Sequence, residues 1–426
     1  MDACVQALHV HERRSVIPPQ PKGKVHLMEV NHTGFTRNAQ VTYDQLMEDI
    51  DVAADVGVEL LMLDAGWFGD VSDKWSEAVG DWHRESPLLE PGVAAVFDRA
   101  RARGMQVGLW VEAERMGRTS HVLRDHADWQ LTKRGESIPN LDLSRPEIAR
   151  YMEDTIAGLI EKYNLDCYRI DYNITVGEGG EAQRGGYTEN VMWRYYDAFY
   201  EIFDHLVERF PGILLENCSS GGGRNDLGVL SHFHFTQITD KWAPGPQLKI
   251  LNGMTMALPP EICEIHVGAI NDGVSDVDFM LRIGLFSHFD VTGIFPTMKE
   301  RHSAARERWL HTIGLYKDFV RPMLSESRIF HHTPIQRQME VGDWVVLECA
   351  DAAGTRAYAG IFRLGGAKDD AFHFCPKGLD VSRRYRVTED NSGRSFEAEG
   401  RELANTGLHI AVGGAMTSEL LLIEAV

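Results

Sequence analysis

The sequence lacks the features of several protein classes. Of its 426 residues, 43 are Lys or Arg and 63 are Asp or Glu, which gives a net charge of −20. This balance repels phosphate backbones and anionic lipid headgroups, so we expect no nucleic-acid partner and no membrane association. No apolar run approaches the ~20 residues that cross a bilayer. The chain also begins without the apolar core of a secretory signal, and a cytoplasmic protein is expected.

Cysteine pairs and a dinucleotide motif are missing as well. The six cysteines, at positions 4, 167, 218, 263, 349 and 375, form no Cys-x-x-Cys pair. Neither a disulfide framework nor a zinc module is therefore indicated. No G-x-G-x-x-G follows the first apolar run, where a dinucleotide-binding fold would carry it.

What the sequence does contain is a recurring alternation between residue 25 and about residue 330. Short apolar runs lie at 25–30, 58–64, 105–112, 166–171, 212–217, 234–240 and, less clearly, 288–295. Segments of helical periodicity lie between them, among others at 43–56, 146–163 and 190–209. Strands that alternate with helices predict a parallel sheet. Seven or eight such units over about 300 residues favour a (β/α)8 TIM-type barrel over a doubly wound sheet.

The two ends of the chain lack this alternation of apolar runs and helical segments. Residues 1–23 are interpreted as an irregular lead-in, and residues 24–330 as the barrel. In residues 331–426, seven short alternating runs are separated by Gly, Asp, Asn and Ser. This spacing predicts a C-terminal all-β antiparallel sandwich.

Carboxylates close most of the apolar runs. They are Asp64, Glu112, Asp171, Glu216 and Asp240. Parallel barrels place their active sites at the carboxyl ends of the strands. A ring of carboxylates there indicates either a hard-metal site or acid/base chemistry on a polyhydroxylated substrate.

Asp171 and Asp240 are the strongest catalytic candidates. Period-2 geometry puts Arg169 and Asp171 on one strand face, and a neighbouring guanidinium favours the ionised carboxylate that a nucleophile requires. A purely structural Arg–Asp pair is the alternative, and for Asp240 an ordinary strand-terminal turn residue is the alternative. Two carboxylates that flank one bond are the machinery of glycoside hydrolysis.

A glycine-rich loop, two tryptophans and two histidines are further candidates for binding, and each also has a simpler structural explanation. The glycine-rich loop at 217–226 lacks the ending of a phosphate loop and suits a sugar-binding wall, with a flexible loop as the alternative. Trp67 and Trp242 lie in loops where a ring can stack on a sugar, although core packing is the usual fate of Trp. His232 and His234 could share a face, but hydrogen-bonded structural histidines are favoured, and no metal site is predicted.

Six motifs in order carry a family resemblance. They are LLMLDAGWFGD (60–70), GDWHRESPLLEPG (80–92), GLWVEAERM (108–116), HADWQL (126–131), DCYRIDYN (166–173) and LLENCSSGGGRNDLGVL (214–230). Together they resemble the signature of glycoside hydrolase family 36, which contains retaining α-galactosidases and α-N-acetylgalactosaminidases. The resemblance covers residues 25 to 330, and the β-rich tail is similar to that family's C-terminal sandwich.

The resemblance implies roles for individual residues. Asp171 matches the nucleophile and Asp240 the general acid/base, with a carboxylate separation of ~5–6 Å. The implied substrate-binding residues are Asp64, Trp67, Trp110, Glu112, Arg169, Asn173, Cys218, Ser219, Gly221 and Trp242. The implied substrate is an oligosaccharide or α-glycoside, the implied chemistry needs no cofactor, and homo-oligomer formation is left open.

The sequence also departs from the family pattern. Ala65 replaces the second Asp of an Asp-Asp pair, and Ala113 and Arg115 alter a Glu-Pro-Glu-Met motif. Because only about 24 residues precede the first strand, we expect the family's N-terminal β-supersandwich to be absent. The alternatives are another α-glycosidase, such as an α-N-acetylgalactosaminidase, a transglycosylase, a silent carbohydrate-binding protein, and a metal-dependent barrel enzyme.

Overall fold

The computed structural model describes residues 1–32, 41–70, 74–174, 179–268, 275–292 and 304–426. Eight parallel strands form a closed barrel and neighbour one another in chain order, which confirms the predicted barrel. The strands are β1 (Glu29–His32), β2 (Leu60–Leu63), β3 (Gln106–Val111), β4 (Cys167–Ile170), β5 (Leu214–Asn217), β6 (Phe235–Gln237), β7 (Cys263–Val267) and β8 (His288–Val291).

Helices connect the strands, and their ends follow local sequence signals. The three helices predicted at 43–56, 146–163 and 190–209 are found at Tyr43–Val56, Pro146–Tyr163 and Met192–Arg209. Thr42 and Gln45 form a capping box at the start of the first, and Pro146 opens the second, where its missing N–H costs nothing. The other α-helices are Asp2–Ser15, Trp75–Ala78, Val93–Ala102, His121–Asp125, Leu227–Leu230, Pro244–Met254, Val277–Gly284, Ala304–Leu315, Arg321–Leu324 and Gly400–Asn405.

Smaller elements complete the connections. Short 3-10 turns lie at Pro87–Leu89, Ala127–Trp129 and Pro260–Ile262, and a π-helical segment spans Tyr316–Val320. Two hairpins pair Gln130–Lys133 with Glu136–Leu141, and Glu181–Arg184 with Tyr187–Asn190. Across the described ranges, no helix is both long and apolar enough to span a membrane.

The chain divides into two compact units. One is Ile17–Thr236, and the other combines Met1–Val16 with Gln237–Val426. The domain boundaries predicted at residues 23 and 330 stay predictions.

Within Ile17–Thr236, the strands change character along their length. The side chains of Leu60, Met62, Cys167, Leu214 and Phe235 form a buried apolar cluster. Because side chains alternate between the two faces of a strand, the next residues on the same face of β4 are Arg169 and then Asp171. On β2 the corresponding position after Met62 is Asp64. On this face β4 therefore passes from apolar Cys167 through Arg169 to a carboxylate, and β2 passes from Leu60 and Met62 directly to a carboxylate.

The C-terminal region contains the predicted β-structure. A six-stranded antiparallel sheet has the order Arg328–His331, Trp344–Ala350, Arg356–Arg363, Thr417–Ala425, Arg384–Glu389, Ser395–Glu399, and a two-stranded sheet pairs Ala371–Phe374 with Leu408–Ala411. Phe374 and Ile410 of the smaller sheet share one buried apolar cluster with Val346, Ala359 and Leu421 of the larger. All seven predicted runs are strands, and the eighth strand, Arg328–His331, begins before the predicted boundary.

Two expectations from the sequence are corrected by the structure. Residues 1–23 are not an irregular lead-in, because Asp2–Ser15 is a helix whose buried positions are Val5, His9 and Glu12. Two of these three buried side chains are polar, so the sequence lacks the stripe of apolar residues by which a buried helix face is predicted. Strand β7 was missed for a related reason: Glu264 and His266 alternate with its apolar residues, yet all five residues are buried. Residues 293–295 of the run at 288–295 lie outside the described residues.

Candidate active site

Asp171 lies directly after β4 and is 7% exposed. Four donors from the described residues reach its carboxylate. Oδ1 accepts from the backbone N–H groups of Tyr172 at 2.7 Å and Ser220 at 3.0 Å. Oδ2 accepts from Asn173 Nδ2 at 2.6 Å and Trp110 Nε1 at 3.1 Å. Four donors on one carboxylate stabilise its negative charge and fix its orientation.

Arg169 does not fill the role that the strand spacing suggested. Its guanidinium contacts Glu216 Oε1 of the neighbouring strand, and its Nε lies 3.7 Å from Asp64 Oδ2. The donors to Asp171 are the four named above, and the expected direct Arg169–Asp171 pair is wrong. The physical reason is register: Arg169 lies directly opposite Glu216 in the β4–β5 pairing.

Asp64 occupies the end of β2 and is also buried. Oδ1 accepts from the Ala65 N–H at 2.7 Å, and Oδ2 accepts from Asn31 Nδ2 at 3.0 Å. Burial raises the pKa of the Asp64 carboxyl above its ordinary value, against the opposing effects of Arg169 and these hydrogen bonds. Ala65, which stands where the family pattern has a second Asp, is itself buried.

Glu112 lies at the end of β3 and is fully buried. Its Oε1 accepts from the Asn173 N–H at 2.7 Å, and its Oε2 lies 3.4 Å from Arg115 Nη1. Burial and the nearby charge of Asp171 raise the pKa of Glu112 to about 8. A neutral carboxyl group at this place holds Asn173, which in turn donates to Asp171.

A buried ion pair between Arg224 and Glu114 has no signal in the sequence. Arg224 Nη1 donates to Glu114 Oε1 and Arg224 Nη2 lies near Glu114 Oε2, both at 3.0 Å, and both residues are buried. The Tyr195 hydroxyl also donates to Glu114, and the guanidinium lies 4.5 Å from the ring centroid of Tyr172. No spacing rule links residues 114 and 224, so only the fold could pair them.

The glycine-rich loop after β5 turns back on Asp171. Cys218 is buried, and its N–H donates to Ile170 O at 2.8 Å. Ser219 Oγ donates to Tyr172 O at 3.2 Å. Ser220 and Gly221 both adopt left-handed backbone conformations, with φ of 49° and 78°. This turn directs the Ser220 N–H at Asp171. Glycine at position 221 adopts the left-handed conformation that the turn requires without steric cost.

Two of the predicted substrate-binding residues, Trp67 and Trp110, are hydrogen-bonded to each other. Trp110 is 2% exposed and donates to Asp171. Trp67 is 1% exposed and donates its indole N–H to Trp110 O at 2.9 Å, and its ring packs against Trp82, with centroids 5.9 Å apart. Aromatic side chains enclose Trp67, as in the core packing that the sequence left as the alternative to sugar stacking. Its part in sugar binding stays a prediction.

The remaining predicted site residues lie in the second compact unit. Asp240 is exposed and follows the end of β6 by three residues, and Trp242 is half-buried. Gln237 Nε2 donates to Asp240 Oδ1 at 3.1 Å. The separation of Asp171 and Asp240 stays a prediction.

The two histidines that could share a strand face, His232 and His234, do not lie on a strand. His232 contacts Asp204 Oδ1 at 2.7 Å, and His234 Nδ1 accepts from the Leu215 N–H at 2.9 Å.

One further cluster has the composition of a metal site. Glu264, His266 and Asp290 place ligand atoms within 4.8 Å of one another on β7 and β8. His266 Nδ1 is already hydrogen-bonded to Asp290 Oδ2, and it lies 3.4 Å from Glu264 Oε1. A hydrogen-bonded histidine between two carboxylates accounts for this geometry.

A (β/α)8 barrel with a buried, hydrogen-bonded carboxylate at the end of β4, beside an indole N–H, has its candidate site at the carboxyl ends of the strands, where parallel-barrel enzymes have their active sites. The Melibiase family model matches residues 2–319 of the chain. The chain belongs to the Melibiase family, and the resemblance to glycoside hydrolase family 36 is confirmed.

Named relatives agree with this assignment. The α-galactosidase AgaA of Geobacillus stearothermophilus is 28% identical over 366 residues, which cover 82% of this chain and 49% of that protein. An α-galactosidase of Escherichia coli is 31% identical over 274 residues, covering 62% of this chain and 37% of its own. The chain thus spans about half the length, or less, of these relatives.

Solved structures share the fold. A variant of the G. stearothermophilus family 36 α-galactosidase AgaA, crystallised with raffinose, superposes with a TM-score of 0.87 at 24% identity, covering 100% of this chain and 59% of that one. An α-galactosidase from Lactobacillus brevis gives a TM-score of 0.87 at 21% identity, covering 100% of this chain and 58% of that one.

Proposed function

We propose that this chain is a retaining α-glycoside hydrolase of the α-galactosidase type, which cleaves terminal α-galactosyl groups from oligosaccharides such as raffinose. The observation that carries the proposal is the Asp171 carboxylate, held at the end of β4 by four hydrogen-bond donors. A nucleophilic carboxylate must be correctly aimed before substrate arrives, and the four donors on its two oxygens favour one orientation.

The reaction has two displacement steps. Asp171 attacks the anomeric carbon while Asp240 protonates the departing glycosidic oxygen, which leaves a galactosyl ester on Asp171. Asp240 then removes a proton from water, and the resulting hydroxyl group attacks the anomeric carbon and releases Asp171. The predicted carboxylate separation of ~5–6 Å is near the value for retaining enzymes and below the ~6.5–9.5 Å of inverting enzymes.

The buried carboxyl groups around the nucleophile support this assignment. Glu112 and Asp64 both have raised pKa values, chiefly because of burial. With a pKa of about 8, the Glu112 carboxyl group keeps its proton at neutral pH and adds less negative charge near Asp171 than an ionised group would. The repulsion between Glu112 and the nucleophilic carboxylate is thereby reduced.

The direct test is hydrolysis of raffinose and of a panel of aryl α-glycosides: galactoside, N-acetylgalactosaminide and glucoside. We expect the galactoside to be cleaved with retention of configuration, observed by NMR as initial release of α-galactose. Asp171→Ala should lower turnover by at least ~10³-fold, and azide should restore part of it as β-galactosyl azide. Asp154→Ala, on an exposed aspartate outside the site, is the control. Near-normal turnover by D171A, or release of β-galactose, would overturn the proposal.

A further inference from the structure

Gln237 is the last residue of β6, and the residue is 1% exposed. Asp240, three residues later, is exposed. A buried amide thus lies beneath an exposed carboxyl group at the end of one strand. Burying an amide is costly unless its hydrogen bonds are made, so the partners of Gln237 show what holds it there.

The Gln237 amide nitrogen has two directed contacts. Nε2 donates to Asp240 Oδ1 and to Thr239 O, each at 3.1 Å. An amide nitrogen carries two N–H groups, so both hydrogen bonds can form at once. The pair of contacts ties the carboxyl group of Asp240 and the backbone that precedes it to one fixed point.

The turn itself is anchored on both sides of Gln237. Ile238 N–H donates to Glu264 O of β7 at 3.1 Å, which fixes the chain immediately after the strand. Lys241 N–H donates to Thr239 Oγ1 at 3.0 Å, which closes the turn around Asp240. The orientation of Asp240 therefore depends on a rigid support and not on a free loop.

We propose that Gln237 is a positioning residue for Asp240: it holds Oδ1 and thereby orients the carboxyl group for proton transfer to the glycosidic oxygen. This inference rests on the proposed function, in which Asp240 is the general acid/base. An amide is suited to the task because it is neutral at every pH and donates to the ionised carboxylate without forming an ion pair. The device belongs to this chain's Thr-Asp-Lys-Trp turn, which departs from the family's Ser-Asp pattern.

The ionisable residues on the neighbouring segments are Lys241, which follows Asp240 in the chain, and Glu264 and His266 on β7, where the Glu264 carbonyl accepts from the Ile238 N–H. Asp290 on β8 contacts His266. Every variant in the test keeps these groups unchanged. A difference between the wild type and a Gln237 variant therefore reports on the amide.

The test compares wild type, Gln237→Ala and Gln237→Glu. Gln237→Glu keeps the shape of the side chain but removes the N–H donor, and it serves if the alanine variant does not fold. Loss of the donor destabilises the ionised form of Asp240, so the alkaline limb of the kcat/KM profile should move to higher pH by about 0.5 to 1 unit. The shift should be larger for Gln237→Glu, because it places a second carboxyl group beside Asp240.

The leaving group supplies a second readout. General acid catalysis matters most when the departing oxygen is a poor leaving group. Gln237→Ala should therefore lower kcat/KM for raffinose about 10-fold or more, and for an activated dinitrophenyl α-galactoside by less than about 3-fold. A merely structural role would lower both substrates equally and leave the pH profile in place.

Gln336 provides the control. Its Nε2 also donates to one aspartate oxygen and one carbonyl, Asp343 Oδ1 at 3.0 Å and Trp344 O at 2.7 Å, in the C-terminal region. Gln336→Ala should keep the wild-type pH profile and leaving-group dependence. An unchanged profile and equal losses on both substrates in the Gln237 variants would overturn the inference. Failure of the proposed function itself would appear differently, as a wild-type protein that cleaves no α-galactoside.

Discussion

Trp110 Nε1 donates to Asp171 Oδ2 across 3.1 Å, so a predicted substrate-binding side chain is hydrogen-bonded directly to the predicted nucleophile. The same oxygen accepts from Asn173, and Trp67 holds the backbone carbonyl of Trp110. The position of the indole is therefore set from both sides.

Trp110→Phe tests this hydrogen bond. The substitution keeps an aromatic ring but removes one donor from the ionised carboxylate. We expect kcat/KM for an aryl α-galactoside to fall about 10-fold, because one charge-assisted hydrogen bond to Asp171 is lost. Trp129→Phe is the control, because Trp129 packs on His126 and Tyr151 away from Asp171. Equal kcat/KM values in the two variants would show that the hydrogen bond from Trp110 does not contribute.

Glu112→Gln tests the raised pKa of about 8. In the unfolded chain this carboxyl group ionises near its ordinary value of 4.5, whereas the folded protein keeps the proton until about pH 8. The folded state then binds more protons between these limits, so the wild type loses stability as the pH rises through that window. The neutral variant should have a Tm close to wild type at pH 4.5 and a higher Tm at pH 8.

Thermal unfolding at four or five pH values between 4.5 and 8.5 measures this difference. Glu136→Gln, at an exposed position, is the control and should shift Tm little at any pH. A constant Tm difference between wild type and E112Q across the whole range would contradict the prediction.

Arg224→Met tests the buried ion pair with Glu114. The variant leaves Glu114 buried without its cation, which typically costs about 3–5 kcal/mol in the free energy of unfolding. Urea denaturation measures the loss. The comparison is Arg118→Met, which removes an exposed contact with Glu77 and should cost less than about 1 kcal/mol. An equal loss of unfolding free energy in the two variants would mean that the buried pair stabilises the protein no more than the exposed pair does.

Arg13→Met tests the N-terminal helix. Arg13 forms a two-pronged contact with Glu261, at 2.6 and 2.8 Å, and also donates to Ser327 O at 2.9 Å. Removing it should destabilise the protein by about 2–3 kcal/mol, since Glu261 is left buried. Its neighbour Arg14 is exposed, and Arg14→Met is the control. Proteolysis within residues 2–15 should be faster in R13M than in R14M; equal rates would contradict the role assigned to Arg13.

Much of the fold could be predicted because its signals are local. The helix at Tyr43–Val56 has its capping residue, its apolar face and its terminal glycine within one continuous stretch. The strands end in carboxylates that a period of two residues places on a common face. The helix Asp2–Ser15 and strand β7 escaped prediction because polar residues occupy buried positions in both, and a hydrophobic pattern cannot report a buried Glu or His.

The candidate site likewise has features that the sequence predicts and features that it does not. Asp171 could be located from the strand that precedes it, but its contacts could not. The period of two residues predicts Arg169 as its partner, whereas the strand register places Arg169 opposite Glu216. Ser220, which does donate to Asp171, lies 49 residues further along the chain.

The sequence by itself determined the barrel, the C-terminal β-region and the strand ends that carry the candidate carboxylates, because periodicity and capping act between near neighbours. Only the tertiary structure decided which groups hold Asp171, why Glu112 keeps its proton, and that Glu114 pairs with Arg224 across 110 residues of chain. Those properties depend on burial and on hydrogen bonds between distant segments. Neither exists until the strands have closed around them.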